Sequence, residues 1–192
     1  MSEWLESEHR PFGWFTDAEG TFYKETVTRY PRGILVELGP YLGRSLSYVL
    51  QVCRELKIEV YAVDVWNWDR RREFGFPPCH LELFNSNLKR LGFERDVCPL
   101  QSDNVQVAVK FRNESVSVIM IDTLHTKEQT LREIDVWLPR LEPNGAFLFH
   151  DYTPQPVTHP EYGTVWDVGG AIRERFGKPD EVVDSLARVK KK

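Results

Sequence analysis

The stretch ILVELGPYLGRS, residues 34–45, constrains the fold of this chain more than any other segment. Its apolar first half indicates a buried strand, and the glycines that follow indicate a tight turn before a helix. Gly39 and Gly43 allow the backbone to approach a ligand closely, because they carry no Cβ. Arg44 and Ser45 begin the predicted helix, whose free N–H groups and positive dipole end attract an anion. The segment therefore predicts a strand–loop–helix unit that binds an anionic group.

The loop differs from the two common nucleotide-binding loops. It lacks the Gly-Lys-Ser/Thr of a triphosphate-binding loop and the G-x-G-x-x-G spacing that is typical of nicotinamide-binding folds. Glu37, at the end of the predicted strand, would repel a pyrophosphate but suits a ligand with a positive centre. A cofactor with a carboxylate for the helix and a positive centre for Glu37 satisfies both features. S-adenosylmethionine is such a molecule.

Composition is typical of soluble globular proteins. The chain has 192 residues, 41% of them hydrophobic, and a formal net charge of −4. This length predicts a single domain over 1–192, with an N-terminal arm and helix over 1–30. The mild acidity argues against a nucleic-acid partner, no apolar run reaches membrane-spanning length, and the N-terminus lacks a signal-peptide pattern. We therefore expect a cytoplasmic protein with a small-molecule substrate and no membrane partner, and homo-oligomer formation stays open.

Hydrophobic periodicity predicts alternating strands and helices. The predicted strands are 33–38, 59–63, 96–100, 116–121 and 146–150, with two short strand-like pieces between 181 and 190. The predicted helices are 17–29, 45–56, 80–91, 126–138 and 165–176. The sequence Pro143-Asn144-Gly145 predicts a turn. Such alternation is typical of a doubly wound, mostly parallel sheet with helices on both faces, in which ligands bind at the carboxyl ends of the strands.

Acidic residues follow several of these strands. Asp64 follows the second strand, where a carboxylate can accept hydrogen bonds from both hydroxyls of a ribose. Val65 and Trp66 come next, and the Trp66 ring would either stack on an adenine or pack in the core. Asp103 follows the third strand and is a candidate for contact with the adenine edge. An acid at a strand end can also cap the following helix, so both roles stay open for Asp64 and Asp103.

A second polar group lies at the ends of two strands that we expect to be neighbours: Asp122, His125, His150 and Asp151. Two carboxylates and an imidazole can hold a hard divalent cation such as Mg²⁺ or Mn²⁺, and a further histidine can act as a general base. The structural alternative is that His125 caps its helix and His150 bonds a backbone group. The convergence of two histidines and two aspartates favours the functional interpretation.

Three segments together resemble class I S-adenosylmethionine-dependent methyltransferases: VELGPYLGRS, YAVDVW and IDTLHTKEQTLREIDVWLPRLEPNGAFLFHDY. They are most similar to small-molecule O-methyltransferases related to macrolide-sugar methyltransferases, a group with glycan-associated members. The resemblance implies a Rossmann-like, seven-stranded sheet whose last strand, near 186–189, is antiparallel. The candidate cofactor-binding residues are then Glu37, Gly39, Tyr41, Gly43, Ser45, Asp64, Val65, Trp66, Asp103 and Asp122.

The resemblance also implies roles for the second polar group. Asp122 matches a metal ligand, with His150 and Asp151 supplying further ligands, and His125 matches the position of a proposed catalytic base. Related metal-dependent enzymes usually carry two acids, or an acid and an amide, where this chain has His150-Asp151. That departure indicates either a changed metal preference or no metal.

The implied activity is S-adenosylmethionine-dependent O-methylation of a small hydroxylated substrate, such as a sugar or a natural-product hydroxyl. A bound cation would lower the pKa of the hydroxyl, and His125 would accept its proton. The proline-rich segment 153–164 is a candidate lid over the same strand ends, or an ordinary surface loop. Three alternatives stay open: an N-methyltransferase, a non-catalytic cofactor-binding domain and a nucleotide-dependent oxidoreductase.

Overall fold

A computed structural model of the chain describes residues 9–68, 77–160 and 163–191. The helices are α1 (Asp17–Val27), α2 (Leu50–Leu56), α3 (Leu81–Leu91), α4 (Lys127–Trp137) and α5 (Val168–Phe176). The strands are β1 (Ile34–Leu38), β2 (Glu59–Asp64), β3 (Asn67–Trp68), β4 (Cys79–His80), β5 (Val97–Gln101), β6 (Val116–Ile121), β7 (Leu141–Phe149), β8 (Val157–Thr158), β9 (Val165–Trp166), β10 (Glu181–Val183) and β11 (Leu186–Lys190). Among these ranges, none of the helices has the length and apolar character that crossing a bilayer requires.

Seven strands form the central sheet in the order β10-β11-β7-β6-β1-β2-β5. The five strands from β7 to β5 pair in parallel, whereas β11 is antiparallel to both of its neighbours. This confirms the predicted doubly wound fold and its antiparallel last strand. The two short pairs β3–β4 and β8–β9 lie outside this sheet.

Apolar layers cover both faces of the sheet. On one face the core includes Tyr23 of α1, Leu50 of α2 and Phe84 of α3. On the other face it includes Ile134 of α4 and Ile172 of α5. Every residue of β6 is buried, which explains why the sequence VSVIMI is apolar without alternation.

Three predicted boundaries are wrong. The predicted helix 45–56 is divided into a 3₁₀ turn, Leu46–Tyr48, and α2, so the Gly-containing loop is not followed by a continuous helix. The predicted turn at Pro143-Asn144-Gly145 lies inside β7 as a bulge, where the pairing with β6 shifts register. The predicted helix 165–176 begins at Val168, because the β-branched Val165 pairs with Thr158 in a hairpin.

Candidate active site

In the central sheet, β2 and β5 lie on one side of β1, and β6 and β7 lie on its other side. Open α/β sheets bind ligands at the point where the order of strands reverses in this way, here between β1 and β6. Gly39 follows β1 and Asp122 follows β6, and the Asp122 N–H donates to the Leu38 carbonyl at 2.9 Å. Gly39 has φ +82°, and a Cβ on it would lie 1.8 Å from the Asp122 carbonyl oxygen. Glycine is therefore required here by the approach of two strands, independently of any ligand.

The loop 39–43 is a turn that several contacts fix in place. The Gly43 N–H donates to the Pro40 carbonyl at 2.7 Å, and Gly43 has φ +88°. Tyr41 has φ +50°, its hydroxyl donates to the Pro77 carbonyl, and its own carbonyl accepts from the Trp66 indole N–H at 3.1 Å. These contacts hold the loop beside the ends of β1 and β2, where the sequence predicts the cofactor.

Glu37 lies beneath this loop and is completely buried, with 0% of its surface exposed. Its carboxylate accepts hydrogen bonds from the Tyr23 hydroxyl at 2.9 Å and from the Ser45 hydroxyl. Burial raises the pKa of Glu37 to about 7, although both hydrogen bonds act in the opposite direction. Glu37 therefore orients the loop from below, and Tyr23 is a site residue that the sequence did not identify.

Asp64 is half-buried at the end of β2, where its Oδ1 accepts from the Trp66 backbone N–H at 3.0 Å. Val65 is exposed. Trp66 is only 2% exposed and packs on the Phe84 ring with centroids 4.9 Å apart. The structure thus gives the Trp66 side chain the packing role and leaves Asp64 and Val65 at the edge where a ribose would lie.

Asp103 caps the 3₁₀ turn Gln106–Lys110. Its Oδ1 accepts from the backbone N–H groups of Val105 and Gln106, both at 2.9 Å, and the residue is exposed. The capping role that the sequence left open is therefore present, and contact with an adenine stays a prediction.

Glu133 of α4 is a second buried acid that the sequence analysis missed. Its carboxylate accepts from the Thr123 hydroxyl at 2.9 Å, the Gln129 amide at 3.0 Å and the Asn104 amide at 3.3 Å. Burial raises the pKa of Glu133 to about 7. The sequence did contain a signal for Glu133, because it lies on the same face of the helix as the buried residues Thr130, Ile134 and Trp137. Glu133 links the segments that follow β5 and β6.

Among the described residues, Asp122, His125 and Asp151 can offer three metal-ligand atoms within 4.8 Å of one another. The His125 Nε2 lies 3.7 Å from an Asp122 oxygen and 3.4 Å from an Asp151 oxygen. His125 and Asp151 have φ of +58° and +53°, a backbone conformation that is costly for residues other than glycine. Two carboxylates and an imidazole in one half-buried cluster fit a divalent cation.

His150 lies on the buried side of this cluster, with 4% of its surface exposed. Its Nδ1 is 3.3 Å from an Asp122 oxygen and 3.4 Å from an Asp151 oxygen, and its Nε2 is 3.4 Å from an oxygen of Glu19. Although burial alone lowers the pKa of His150, the three carboxylates raise it well above the usual value. Neither ring nitrogen makes a well-aligned hydrogen bond within the described part of the chain.

Glu19, on α1, is the third site residue that the sequence did not identify. It is 1% exposed. Burial tends to raise its pKa, but His150 together with hydrogen bonds from Thr16 and Ser185 lowers the pKa to about 2. The Glu19 carboxylate is therefore a negative charge directly behind the candidate metal cluster.

The predicted lid segment 153–164 contributes to a hairpin, β8–β9, beside the cluster; residues 161 and 162 lie outside the described ranges. The hairpin's Trp166 ring packs against the His125 ring at 4.4 Å and the His159 ring at 4.2 Å. The next residue, Asp167, donates its N–H to the His125 carbonyl at 2.9 Å. The hairpin therefore contacts the candidate base directly.

Comparison with known proteins decides the family. Residues 36–152, which span β1 to the end of β7 and the site residues after it, match a family described as a methyltransferase domain. The chain belongs to this methyltransferase family. The family and the observed sheet agree with the class I S-adenosylmethionine-dependent methyltransferases that the sequence resembles. The family argues against the nucleotide-dependent oxidoreductase.

Individual relatives of the chain are distant. The uncharacterized protein y4gI of Sinorhizobium fredii is 28% identical over 153 residues, which is 78% of this chain but only 15% of that protein. The S-adenosylhomocysteine-bound Podospora anserina methyltransferase PaMTH1 has a TM-score of 0.55 and 16% identity, over 69% of this chain and 52% of that one.

A third similar structure is the geranyl diphosphate C-methyltransferase of Streptomyces coelicolor A3(2), in complex with Mg²⁺, geranyl diphosphate and S-adenosylhomocysteine. It has a TM-score of 0.53 and 15% identity, over 84% of this chain and 53% of that one. The chain thus spans about half the length of the two solved structures and much less of y4gI. At this level of identity the two structures show the fold alone.

Proposed function

We propose that this methyltransferase transfers the methyl group of S-adenosylmethionine to a hydroxyl oxygen of a small molecule, such as a sugar or natural product, with a divalent cation at Asp122 and Asp151. The observation that carries the proposal is the position of Asp122. Its backbone touches Gly39 of the loop 39–43, the predicted cofactor loop, and its carboxylate faces His125 and Asp151. The methyl donor and the polar cluster would therefore share one edge of the sheet.

The chemistry requires alignment and removal of a proton. A sulfonium methyl is already activated, so the protein must hold the acceptor oxygen in line with it. The cation, when bound, supplies the positive charge that lowers the pKa of the hydroxyl. Asp122 and Asp151 provide the carboxylates that hold the cation, and His125 accepts the proton at Nε2.

The same geometry gives His125 an alternative role. Its Nε2 lies 3.4 Å from an Asp151 oxygen, so the ring can also serve as the third ligand of the cation. Removal of a cation ligand weakens cation binding, whereas removal of a general base does not, since only a ligand contributes to cation affinity. Titration of the His125→Ala variant with Mn²⁺ therefore separates the two roles.

The hairpin β8–β9 serves as the lid in this proposal. It carries Trp166 onto the His125 ring, and closure there would exclude water from the hydroxyl that reacts. The contact through the Asp167 N–H couples the hairpin to the backbone of the base. Such a lid would act on the acceptor and leave the cofactor loop unchanged.

Two measurements test the proposal. Calorimetry with S-adenosylhomocysteine should show binding, and a wild-type protein that binds none would overturn it. Methyl transfer to a panel of small hydroxylated acceptors, with and without excess chelator, tests the cation. Full activity in chelator would leave Asp122 and Asp151 as polar substrate contacts, and transfer only to amines would favour the N-methyltransferase. Cofactor binding without transfer to any acceptor would favour the non-catalytic domain.

A further inference from the structure

Glu19 lies on α1, outside the segment 36–152 that matches the methyltransferase family, yet its side chain reaches the ends of the central strands. One carboxylate oxygen accepts from the Ser185 backbone N–H at 3.0 Å and from the Ser185 hydroxyl at 2.7 Å. The other accepts from the Thr16 backbone N–H at 2.8 Å and lies 3.4 Å from the Nε2 of His150. Contacts from two distant parts of the chain, at Thr16 and Ser185, thus hold this carboxylate against one imidazole.

The opposite side of the His150 ring faces the candidate cation site. Its Nδ1 is 3.3 Å from an Asp122 oxygen and 3.4 Å from an Asp151 oxygen. The Phe15 ring packs on the imidazole with centroids 5.1 Å apart, and this contact helps to keep the imidazole buried. The ring therefore lies between Glu19 on one side and the two aspartates on the other.

We propose that Glu19 is a positioning residue of the methyl-transfer site: it holds the Nε2 side of His150 and so directs Nδ1 toward the space between Asp122 and Asp151. A carboxylate that faces one ring nitrogen fixes the orientation of the ring and so the direction in which the other nitrogen points. The effect of Glu19 on cation binding rests on the cation in the proposed function, whereas its effect on the position of the ring does not.

A helix cap alone does not account for Glu19. It does form a capping box with Thr16 at the start of α1. A glutamine at this position serves a capping box as well as a glutamate does. Burying a negative charge is costly unless a partner compensates for it, and the structure places that charge beside His150. The imidazole is therefore the main partner of this charge, and the hydrogen bonds from Thr16 and Ser185 add to it.

The test compares Glu19→Gln with Thr16→Ala. Glu19→Gln keeps an acceptor for the capping box but removes the charge that faces His150. Thr16→Ala removes the other half of the box, the hydroxyl that accepts from the Glu19 N–H, and leaves the carboxylate in place. We expect Glu19→Gln to weaken Mn²⁺ binding, measured by calorimetry, by about 10–100-fold with unchanged S-adenosylhomocysteine affinity. Thr16→Ala should lower only the melting temperature.

Crystal structures of the wild type and of Glu19→Gln give a second measurement that needs neither metal nor activity. We expect the Nδ1 of His150 to leave the position between Asp122 and Asp151 in the variant. Glu19→Asp, which keeps the charge but retracts it from His150, should give the same displacement and is the second variant if Glu19→Gln does not fold.

The outcomes separate this proposal from the function on which it rests. An unmoved His150 ring, together with Mn²⁺ affinity equal to that of the wild type, would overturn the positioning role and leave Glu19 as a helix cap. A wild-type protein that binds no Mn²⁺ would overturn the cation in the proposed function, and the ring position would still decide the role of Glu19.

Discussion

The Trp166 ring packs on the His125 ring with centroids 4.4 Å apart, and the N–H of the next residue, Asp167, donates to the His125 carbonyl. His125 has φ +58°, a conformation that persists in a residue other than glycine only where the surroundings enforce it. Residues from the hairpin β8–β9 and the start of α5 thus hold the candidate base by its ring and by its backbone.

Trp166→Ala is expected to lower kcat/KM by about 100-fold, because a small displacement of a catalytic group costs about that factor. Trp166→Phe keeps an aromatic ring and should recover most of the loss. Affinity for S-adenosylhomocysteine should stay unchanged in both variants, as measured by calorimetry. The exposed neighbour Val165, changed to alanine, is the control. Wild-type kinetics in Trp166→Ala would show that the hairpin is an ordinary surface element.

His125→Ala is expected to lower kcat by about 10²–10⁴-fold, the usual effect of removing a general base. Its affinity for S-adenosylhomocysteine should remain near that of the wild type, because the ring faces Asp122 and Asp151. Calorimetry with Mn²⁺ should also give the wild-type affinity. Weaker Mn²⁺ binding would instead make His125 a ligand, and an unchanged kcat would exclude it as the base.

Asp64→Ala is expected to weaken S-adenosylhomocysteine binding by about 1.5–3 kcal/mol, the range for hydrogen bonds to a charged group. Asp103→Ala is the matched variant from the next strand end. Since Asp103 caps a 3₁₀ turn, its loss should cost about 1 kcal/mol of stability, and an unchanged cofactor affinity would leave the cap as its role. Calorimetry and urea unfolding measure the two effects. Weaker binding in Asp103→Ala would assign that residue to the adenine.

Stability is expected to fall as pH rises from about 4.5 to about 7. Burial raises the pKa of Glu37 from 4.5 to about 7, so in this window the folded protein binds more protons than the unfolded chain does. The raised pKa therefore favours folding most strongly below pH 4.5, and this contribution is lost as pH passes 7. For one such group the change amounts to about 3 kcal/mol.

Glu37→Gln should reduce this slope, measured by urea unfolding at several pH values. Some slope should remain, because the pKa of Glu133 is also raised to about 7 by burial. Glu25→Gln, at an exposed position of α1, is the matched control. A slope in Glu37→Gln identical to that of the wild type would show that folding does not raise the pKa of Glu37.

Much of the fold could be predicted, because apolar periodicity follows directly from which faces of a strand or helix are buried. The uniform apolar run of β6 and the one-sided pattern of α3 are examples. Predicted boundaries were wrong where a tertiary contact outweighed the local preference of the sequence. Pro143-Asn144-Gly145 has the composition of a turn, yet pairing with β6 on both sides keeps these residues within β7.

The candidate site, like the fold, could be predicted only in part. Asp64, Asp122 and Asp151 follow apolar strands, and parallel strands bring their carboxyl ends to one edge, so their proximity could be expected. Glu19 and Tyr23 could not be identified, because each lies within a helix and its partner lies in another element, whereas the buried face of α4 did offer a signal for Glu133. Trp66 is the opposite case. Its position in the sequence suggested a ligand contact, but its side chain is 2% exposed and packs in the core.

By itself, the sequence determined the order of strands and helices, the glycine loop and the acids at the strand ends, because these depend on local periodicity and on backbone conformation. Only the tertiary structure decided which distant side chains come into contact. Glu19 faces His150 across 131 residues of chain because α1 packs on the sheet, and Trp166 reaches His125 because β9 folds back onto β8. Such pairings depend on how whole elements pack, and no pattern within one segment encodes them.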